Sequence, residues 1–542
     1  MERHVTKRAG RWATAVAILG ILAATPAPAQ IKASVTIDAA HPGARISRYI
    51  YGQFSEHLGR SIYGGIWVGK DSKIPNVDGY RTDVLEALKK LHIPVIRWPG
   101  GCFADYYDWR DGIGPRAKRA KRVNSNWGGG IEDNAFGTHE FMNYTEMLGA
   151  DAYIAGNMGS APPRSMSDWY EYMTSDTRST LADERRANGR DKPWKVPFFG
   201  VGNESWGCGG RMTPAYSADL TKRYSTFLRP PAGTPLVRVA SGPNDDTYAG
   251  VPVKFADTAL ERTEVMMRDG GAGDAFDAIS IHHYAFPGDW TSHGQATGFA
   301  EDAWARTLDA ARYMDTLLTR HSAVMDKYDP AKRVGIVIDE WGTWYDASTE
   351  PDAGLFGEHD LYMQQNTLRD ALVAALSFNI FHRHADRMLM ANIAQMVNVD
   401  QAMVLTDGPR MVVTPTYHVF DMYQPFMDAT FLPLKVDGPI YRVGNISMPA
   451  VDASAARGRD GKLHLALVNV DPHQSARVRV SIDGVAARGA QGRILTGPAM
   501  DTRNTFDRPN TLVPAAYSGR ADGGALVFDL PAKSVAVVAV ER

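Results

Sequence analysis

The stretch FFGVGNESWGCGG, Phe198–Gly210, begins as an apolar strand, turns on glycine, and then presents Asn203 and Glu204. A solvated glutamate needs no such lead-in. A glutamate that must keep a proton, or face a sugar, does. The run is short and continuously apolar, which reads as a strand buried on both faces, as in a parallel sheet.

Working outward, seven more runs of this kind occur: RYIYGQFSE (Arg48–Glu56), PVIRWPGG (Pro94–Gly101), AYIAGN (Ala152–Asn157), VRVASGP (Val237–Pro243), AISIHHY (Ala278–Tyr284), VGIVIDE (Val334–Glu340) and LMANIAQ (Leu389–Gln395). Helical patterns lie between them. TDVLEALKKL puts Val84, Leu85, Leu88 and Leu91 on one face, with Thr82 as an expected cap. THEFMNYTEMLG runs from Thr138 and stops at Gly149, and LRDALVAALSFNIF (Leu368–Phe381) is almost wholly apolar. Strand and helix alternating in this way predict an α/β fold, a (β/α)8 TIM barrel with long loops over residues 48–430. A doubly wound sheet competes, but no GxGxxG follows any of the strands.

From about Phe431 the rhythm changes. KLHLALVNV, ARVRVSIDG and SVAVVAVER are short alternating strands divided by Gly, Asp and Pro, so residues 431–542 read as a jelly-roll-like all-β sandwich. ASVTID (Ala33–Asp38) also alternates and has no helix partner, so residues 30–47 are expected to add a strand to that sandwich. Residues 1–29 read as a signal peptide. Arg3, Lys7, Arg8 and Arg11 precede the apolar run Trp12–Ala24, and small residues allow cleavage after Ala29. This predicts a periplasmic or secreted protein with no membrane association after cleavage.

Length and charge narrow the function. The 542 residues suit one large barrel plus a smaller module. With 59 basic and 61 acidic residues there is no basic excess for nucleic acid or anionic lipid. The 12 Trp, 22 Tyr and 19 Phe suit sugar binding as well as core packing. Cys102 and Cys208, both in glycine-rich loops, cannot form a zinc site alone; free buried thiols and a single bridge both stay open. His282 and His283 are adjacent and diverge on a strand, His382 and His384 lack metal-ligand spacing, and neither HExxH nor GxSxG occurs. No metal is expected.

In a TIM barrel the active site lies where the strands end. Here the ends carry Glu56, Arg97, Asn203 with Glu204, Tyr284, Glu340 and Gln395. Two glutamates on strands four and seven face each other across the mouth. That suits glycoside hydrolysis, which sets one protonated and one ionised carboxyl on either side of the bond to be cut. Asn203 can bond a substrate hydroxyl and Trp206 can shield Glu204, so Glu204 is assigned as acid/base. Tyr284 and Arg97 favour an ionised Glu340, the assigned nucleophile. Arg97 reads equally well as a structural ion pair with Glu56.

GQFSEHLGRSIYGGIW, IRWPGG, FGTHEFM, GNESWGCGG, SIHHY, IDEWGTWY, NIAQMVNV and VTPTYH occur in that order between Gly52 and His418. Together they resemble glycoside hydrolase family 51, whose characteristic members are α-L-arabinofuranosidases. The resemblance implies a retaining, exo-acting enzyme that removes terminal arabinofuranosyl residues from arabinan or arabinoxylan side chains. Glu204 is similar to the family's acid/base and Glu340 to its nucleophile; Glu56, Arg97, Asn203, Tyr284 and Gln395 look like its sugar-binding shell. No cofactor is implied, and a homo-oligomer is compatible. Cys102 stands where many members have Asn, which puts one sugar contact and the close transfer of substrate preference in doubt. Cys102 and Cys208 are expected to line the pocket, with a disulfide between them one option. A β-xylosidase or β-glucanase of related fold is the alternative enzyme, and a non-catalytic carbohydrate-binding protein the alternative of another class.

Overall fold

The computed structural model describes residues 1, 30–244, 247–248, 251–252, 259–346 and 361–542. Eight parallel strands close into a barrel: β1 (Gly52–Phe54), β2 (Val95–Trp98), β3 (Asp151–Gly156), β4 (Phe198–Val201), β5 (Val237–Ala240), β6 (Ala278–Ala285), β7 (Gly335–Thr343) and β8 (Met388–Ile393). Each contains residues of one of the eight apolar runs. The ends differ by a few residues. Arg48–Tyr51, expected in strand one, forms a 3-10 turn, and Glu56 and Glu204 lie in loops just past their strands.

The barrel interior is filled, not hollow. Val95, Tyr153, Phe198, Val239, Ala278, Val337 and Met390, one from each strand β2–β8, pack together at its centre. Alternate residues such as Ile96, Ile154 and Phe199 face outward into the layer under the helices. This two-sided burial is why the strands read as continuous apolar runs. Strands β6 and β7 shift register between Ile281 and His282, so that His282 pairs with Glu340. Such an irregularity re-aims side chains at a barrel mouth.

The helix Thr82–Lys90 buries Val84, Leu85 and Leu88, but Thr82 is not its cap. Arg81 holds the cap position, and the Thr82 hydroxyl donates to the carbonyl of Pro75. The helix Thr138–Leu148 ends on Gly149, whose φ of 72° is the left-handed conformation that glycine supplies freely. The apolar helix Leu368–Arg383 is buried on all sides because it lies between β7 and the C-terminal sheet. Its few polar groups are paired there: Asn379 donates to Asp452 at 2.7 Å, and His382 bonds Ser454 and Tyr51, both at 2.8 Å.

The C-terminal module is a ten-stranded sheet with a single apolar core that includes Leu432, Leu465, Val478, Phe528 and Val538. The strand Ile31–Ile37 belongs to it. It runs parallel to Ala476–Ile482 and antiparallel to Leu434–Asp437, and it sends Ala33, Val35 and Ile37 into that core. The proposed signal peptide falls almost entirely outside the described residues.

Candidate active site

The C-terminal ends of the strands surround a cavity of about 450 Å³. Glu56, Cys102, Glu204, His282, Tyr284, Glu340 and Gln395 line it, with Trp127, Trp206, Trp290, Trp344 and Tyr362 as its aromatic walls. A pocket of this size with few, convergent polar groups is typical of a small-molecule site.

Glu340 sits in the extended end of β7 and is buried. Arg97 donates to its Oε1 at 2.9 Å, and the Tyr284 hydroxyl donates to its Oε2 at 2.8 Å. Burial works against the carboxylate charge, but His282, Arg97 and the hydrogen bonds from Arg97 and Tyr284 outweigh it and hold its pKa below the ordinary value. The other Arg97 amino group donates to Asn203 Oδ1 at 2.6 Å, and Nε lies 3.7 Å from Asp339. Of the two readings of Arg97, the geometry matches the support of an ionised Glu340; the alternative ion pair with Glu56 does not form, since Glu340 and Asp339 supply the guanidinium's charges. Gly101 permits this packing, because a Cβ there would come 2.5 Å from Glu340 Oε1.

Glu204 follows β4 in a loop. Gly202 has a φ of 81°, and an added Cβ would meet Met158 at 2.8 Å. Glu204 itself takes a φ of 37°, uncommon for a residue with a side chain and a feature that clusters at functional sites. Its Oε1 lies 2.9 Å from His282 Nδ1. Cys102 and Cys208 form a disulfide between the loops after β2 and β4, which decides the open cysteine reading, and Cys208 Sγ lies 3.4 Å from Glu204 Oε2. Trp206 lines the same cavity.

His282 joins the two acids. Its Nδ1 is 2.9 Å from Glu204 Oε1 and 3.5 Å from Glu340 Oε2. Burial disfavours its charge, yet the Glu340 and Glu204 carboxylates raise its pKa above the ordinary value. One oxygen of each glutamate and a ring nitrogen of His282 all lie within 4.8 Å of one another. These three side chains are the ones that could hold an ion. The sulfurs of Cys102 and Cys208 are committed to each other and offer no thiolate.

Glu56 is the third carboxyl. Its Oε1 accepts the N–H groups of Gly101, Phe103 and Trp127, each at 3.0 Å. Gln395 clasps it from the other side: its amide donates to Glu56 Oε2 at 3.3 Å, and its Oε1 accepts the Glu56 N–H at 3.1 Å. Burial and then the charge of Glu340 push Glu56 up to about 7, against the donors around it.

The sequence reading missed three supports. His282 was weighed only as a metal ligand. Trp127 comes from a long loop with no strand to announce it. Asp105 is buried and accepts the backbone N–H groups of Met158, Gly159 and Asn203 at 2.7–2.8 Å, tying together the loops after β2, β3 and β4.

Two family models match the chain: the α-L-arabinofuranosidase 1 domain over residues 87–293 and the α-L-arabinofuranosidase C-terminal domain over residues 339–534. An intracellular exo-α-L-arabinofuranosidase of Bacteroides ovatus is 47% identical over 515 residues, which is 95% of this chain and 96% of that protein. The crystal structure of the family 51 arabinofuranosidase from Xanthomonas axonopodis pv. citri superposes with a TM-score of 0.89 at 52% identity, covering 94% of this chain and 100% of that one. An arabinose complex of the Thermotoga maritima α-L-arabinofuranosidase gives 0.80 at 28% identity with the same coverage.

The Bacteroides protein corrects one expectation. Its name places it inside the cell, which overturns the periplasmic or secreted location read from residues 1–29. A basic patch, a short apolar run and small residues form a compositional pattern that no packing constrains, so it is weak evidence beside similarity along nearly the whole chain. Barrel, sandwich, facing glutamates and full-length similarity agree: the chain belongs to the α-L-arabinofuranosidases of glycoside hydrolase family 51.

Proposed function

We propose that the pocket removes single terminal arabinofuranosyl residues by double displacement, with Glu340 as nucleophile and Glu204 as acid/base. The observation that carries this reading is the approach of their carboxyl oxygens to within 4.8 Å, both lining one cavity. Retaining glycosidases hold their carboxyls about 5–5.5 Å apart, while inverting ones leave room for a water between them.

In the first step a Glu340 oxygen attacks the anomeric carbon. The glycosidic C–O bond breaks, and Glu204 gives its proton to the departing oxygen, which leaves as an alcohol. In the second step the Glu204 carboxylate takes a proton from water. The water oxygen attacks the anomeric carbon, and Glu340 departs as a carboxylate. Two inversions give net retention. Arg97, Tyr284 and His282 favour the ionised Glu340 that the first step needs. Glu204 supplies the proton for the leaving group, and His282 Nδ1, 2.9 Å from its Oε1, holds that carboxyl in position.

Glu56, Gln395, Asn203 and Trp127 are assigned to the sugar. Asn203 Oδ1 accepts from Arg97, and its amide nitrogen lies 3.7 Å from Cys208 Sγ at the edge of the pocket. Cys102 contributes a disulfide sulfur to the wall and no hydrogen-bond donor. A pocket of about 450 Å³ suits a single terminal sugar, and side chains of arabinan or arabinoxylan are the proposed source of it. A panel of nitrophenyl glycosides tests the assignment: rapid release from the α-L-arabinofuranoside with little from xyloside or glucoside is expected. Proton NMR of the first product must show the retained anomer; the inverted anomer would sink the double displacement.

A further inference from the structure

The loop after β8 carries a carboxyl that the proposed chemistry leaves unused. Gln395 and Val399 close a turn through the Gln395 N–H, and Asn398 and Asp400 follow with φ values of 65° and 48°. Asn and Asp tolerate this left-handed backbone better than other side-chain-bearing residues. That alone would explain an Asp here, but not where its side chain goes. A turn aspartate ordinarily meets solvent or bonds its own backbone. Asp400 is 5% exposed and lines the cavity beside Glu340 and Glu56; its Oδ1 is closed off with no hydrogen-bond partner among the described residues, so the carboxyl meets the cavity through Oδ2, for which no bond is seen either.

Its backbone is held at three points. The N–H donates to Tyr362 O at 2.9 Å, and the carbonyl accepts from Asn366 Nδ2 and from the Ala402 N–H, both at 3.0 Å. Burial, and then the charges of Glu340 and Glu56, raise its pKa well above the ordinary value. The surroundings favour its neutral form, which can both donate and accept. Leaving such a group unpaired inside a protein is costly, and a sugar hydroxyl is the partner this cavity admits.

We propose that Asp400 is a specificity-determining residue of the glycone pocket, its carboxyl hydrogen-bonded to one hydroxyl of the bound furanosyl ring. This rests on the arabinofuranosidase reading above. A site built to bond a hydroxyl rejects an analogue that lacks it, because its own polar group is then left unpaired.

The test compares wild type with Asp400→Gly, which accepts the positive φ and removes the carboxyl, on nitrophenyl α-L-arabinofuranoside and its 2-, 3- and 5-deoxy analogues. Asp400→Gly is expected to lose about 10- to 100-fold in kcat/KM on the parent while changing little on one deoxy analogue, whose rejection collapses. Losses shared equally by all four substrates, or no loss at all, would overturn the proposal, since a merely structural role cannot single out one hydroxyl. Should the glycine variant not fold, a crystal structure of the wild type with arabinose decides: an Asp400 carboxyl beyond hydrogen-bond distance of every sugar hydroxyl would overturn the proposal. Failure of the wild type to cleave the parent glycoside would instead strike the underlying function.

Discussion

Glu340 and Glu204 are chemically identical groups in one cavity, and they are held in opposite ways. Glu340 grows from a barrel strand and is gripped by the buried Arg97 guanidinium and the half-buried Tyr284 phenol. Glu204 stands on a glycine turn, is partly exposed, and touches an imidazole and a disulfide. A nucleophile needs one charge state and one position. An acid/base must change charge twice per turnover, and the ring that touches Glu204, His282, can itself gain or lose a proton where the Arg97 guanidinium cannot. The difference between a strand and a loop as support follows the difference in task.

The largest test of this contrast removes each acid in turn. Glu340→Ala is expected to lower kcat by about 10⁴-fold or more on every glycoside, because no covalent intermediate can form. Glu204→Ala should cost about 10²- to 10⁴-fold on alkyl or sugar leaving groups and far less on activated aryl ones, which depart without a proton. Equal losses on both leaving-group classes would erase the distinction between the two residues. Substituting Tyr284→Phe is a finer probe. It deletes one donor to Glu340, so the low pKa of that carboxyl must rise. The acid limb of kcat/KM should then move to higher pH, with a plateau loss of about 10-fold; a stationary limb would deny Tyr284 its role in keeping Glu340 ionised.

The smallest expected effect concerns His282 and stability. Its folded pKa is raised above the ordinary 6.5. The stabilisation this supplies is complete below the unfolded value and is lost as pH rises through the folded one. The gap in unfolding temperature between wild type and His282→Gln should therefore be widest on the acid side of 6.5 and close above it. A gap that widens with pH would mean that the imidazole is neutral in the folded enzyme.

Legibility in the sequence followed the physics of each element. The barrel could be read because strands buried on two faces leave no alternation, and because helices recur between them. Glu204 and Glu340 could be read because each follows a buried run. The partner of Arg97 could be read only as a choice: whether a rim cation meets Glu56 or Glu340 depends on the stagger of strands around a closed ring, and the shift at His282 has no sequence mark. Asp105 and Trp127 come from loops whose paths only the folded chain defines. Asp400 was invisible for a related reason, since a left-handed turn, not a strand, aims it. Residues 1–29 misled because a short pattern of charge and hydropathy was asked to decide a location.

The strand Ile31–Ile37 has a consequence for how the chain is born. Its sheet partners, Leu434–Asp437 and Ala476–Ile482, leave the ribosome some four hundred residues later. Through most of translation this strand carries an open edge with alternating apolar side chains, the kind of surface that invites pairing with another nascent copy. A product stopped short of Ala476 would keep that edge unsatisfied, however well its catalytic half had folded.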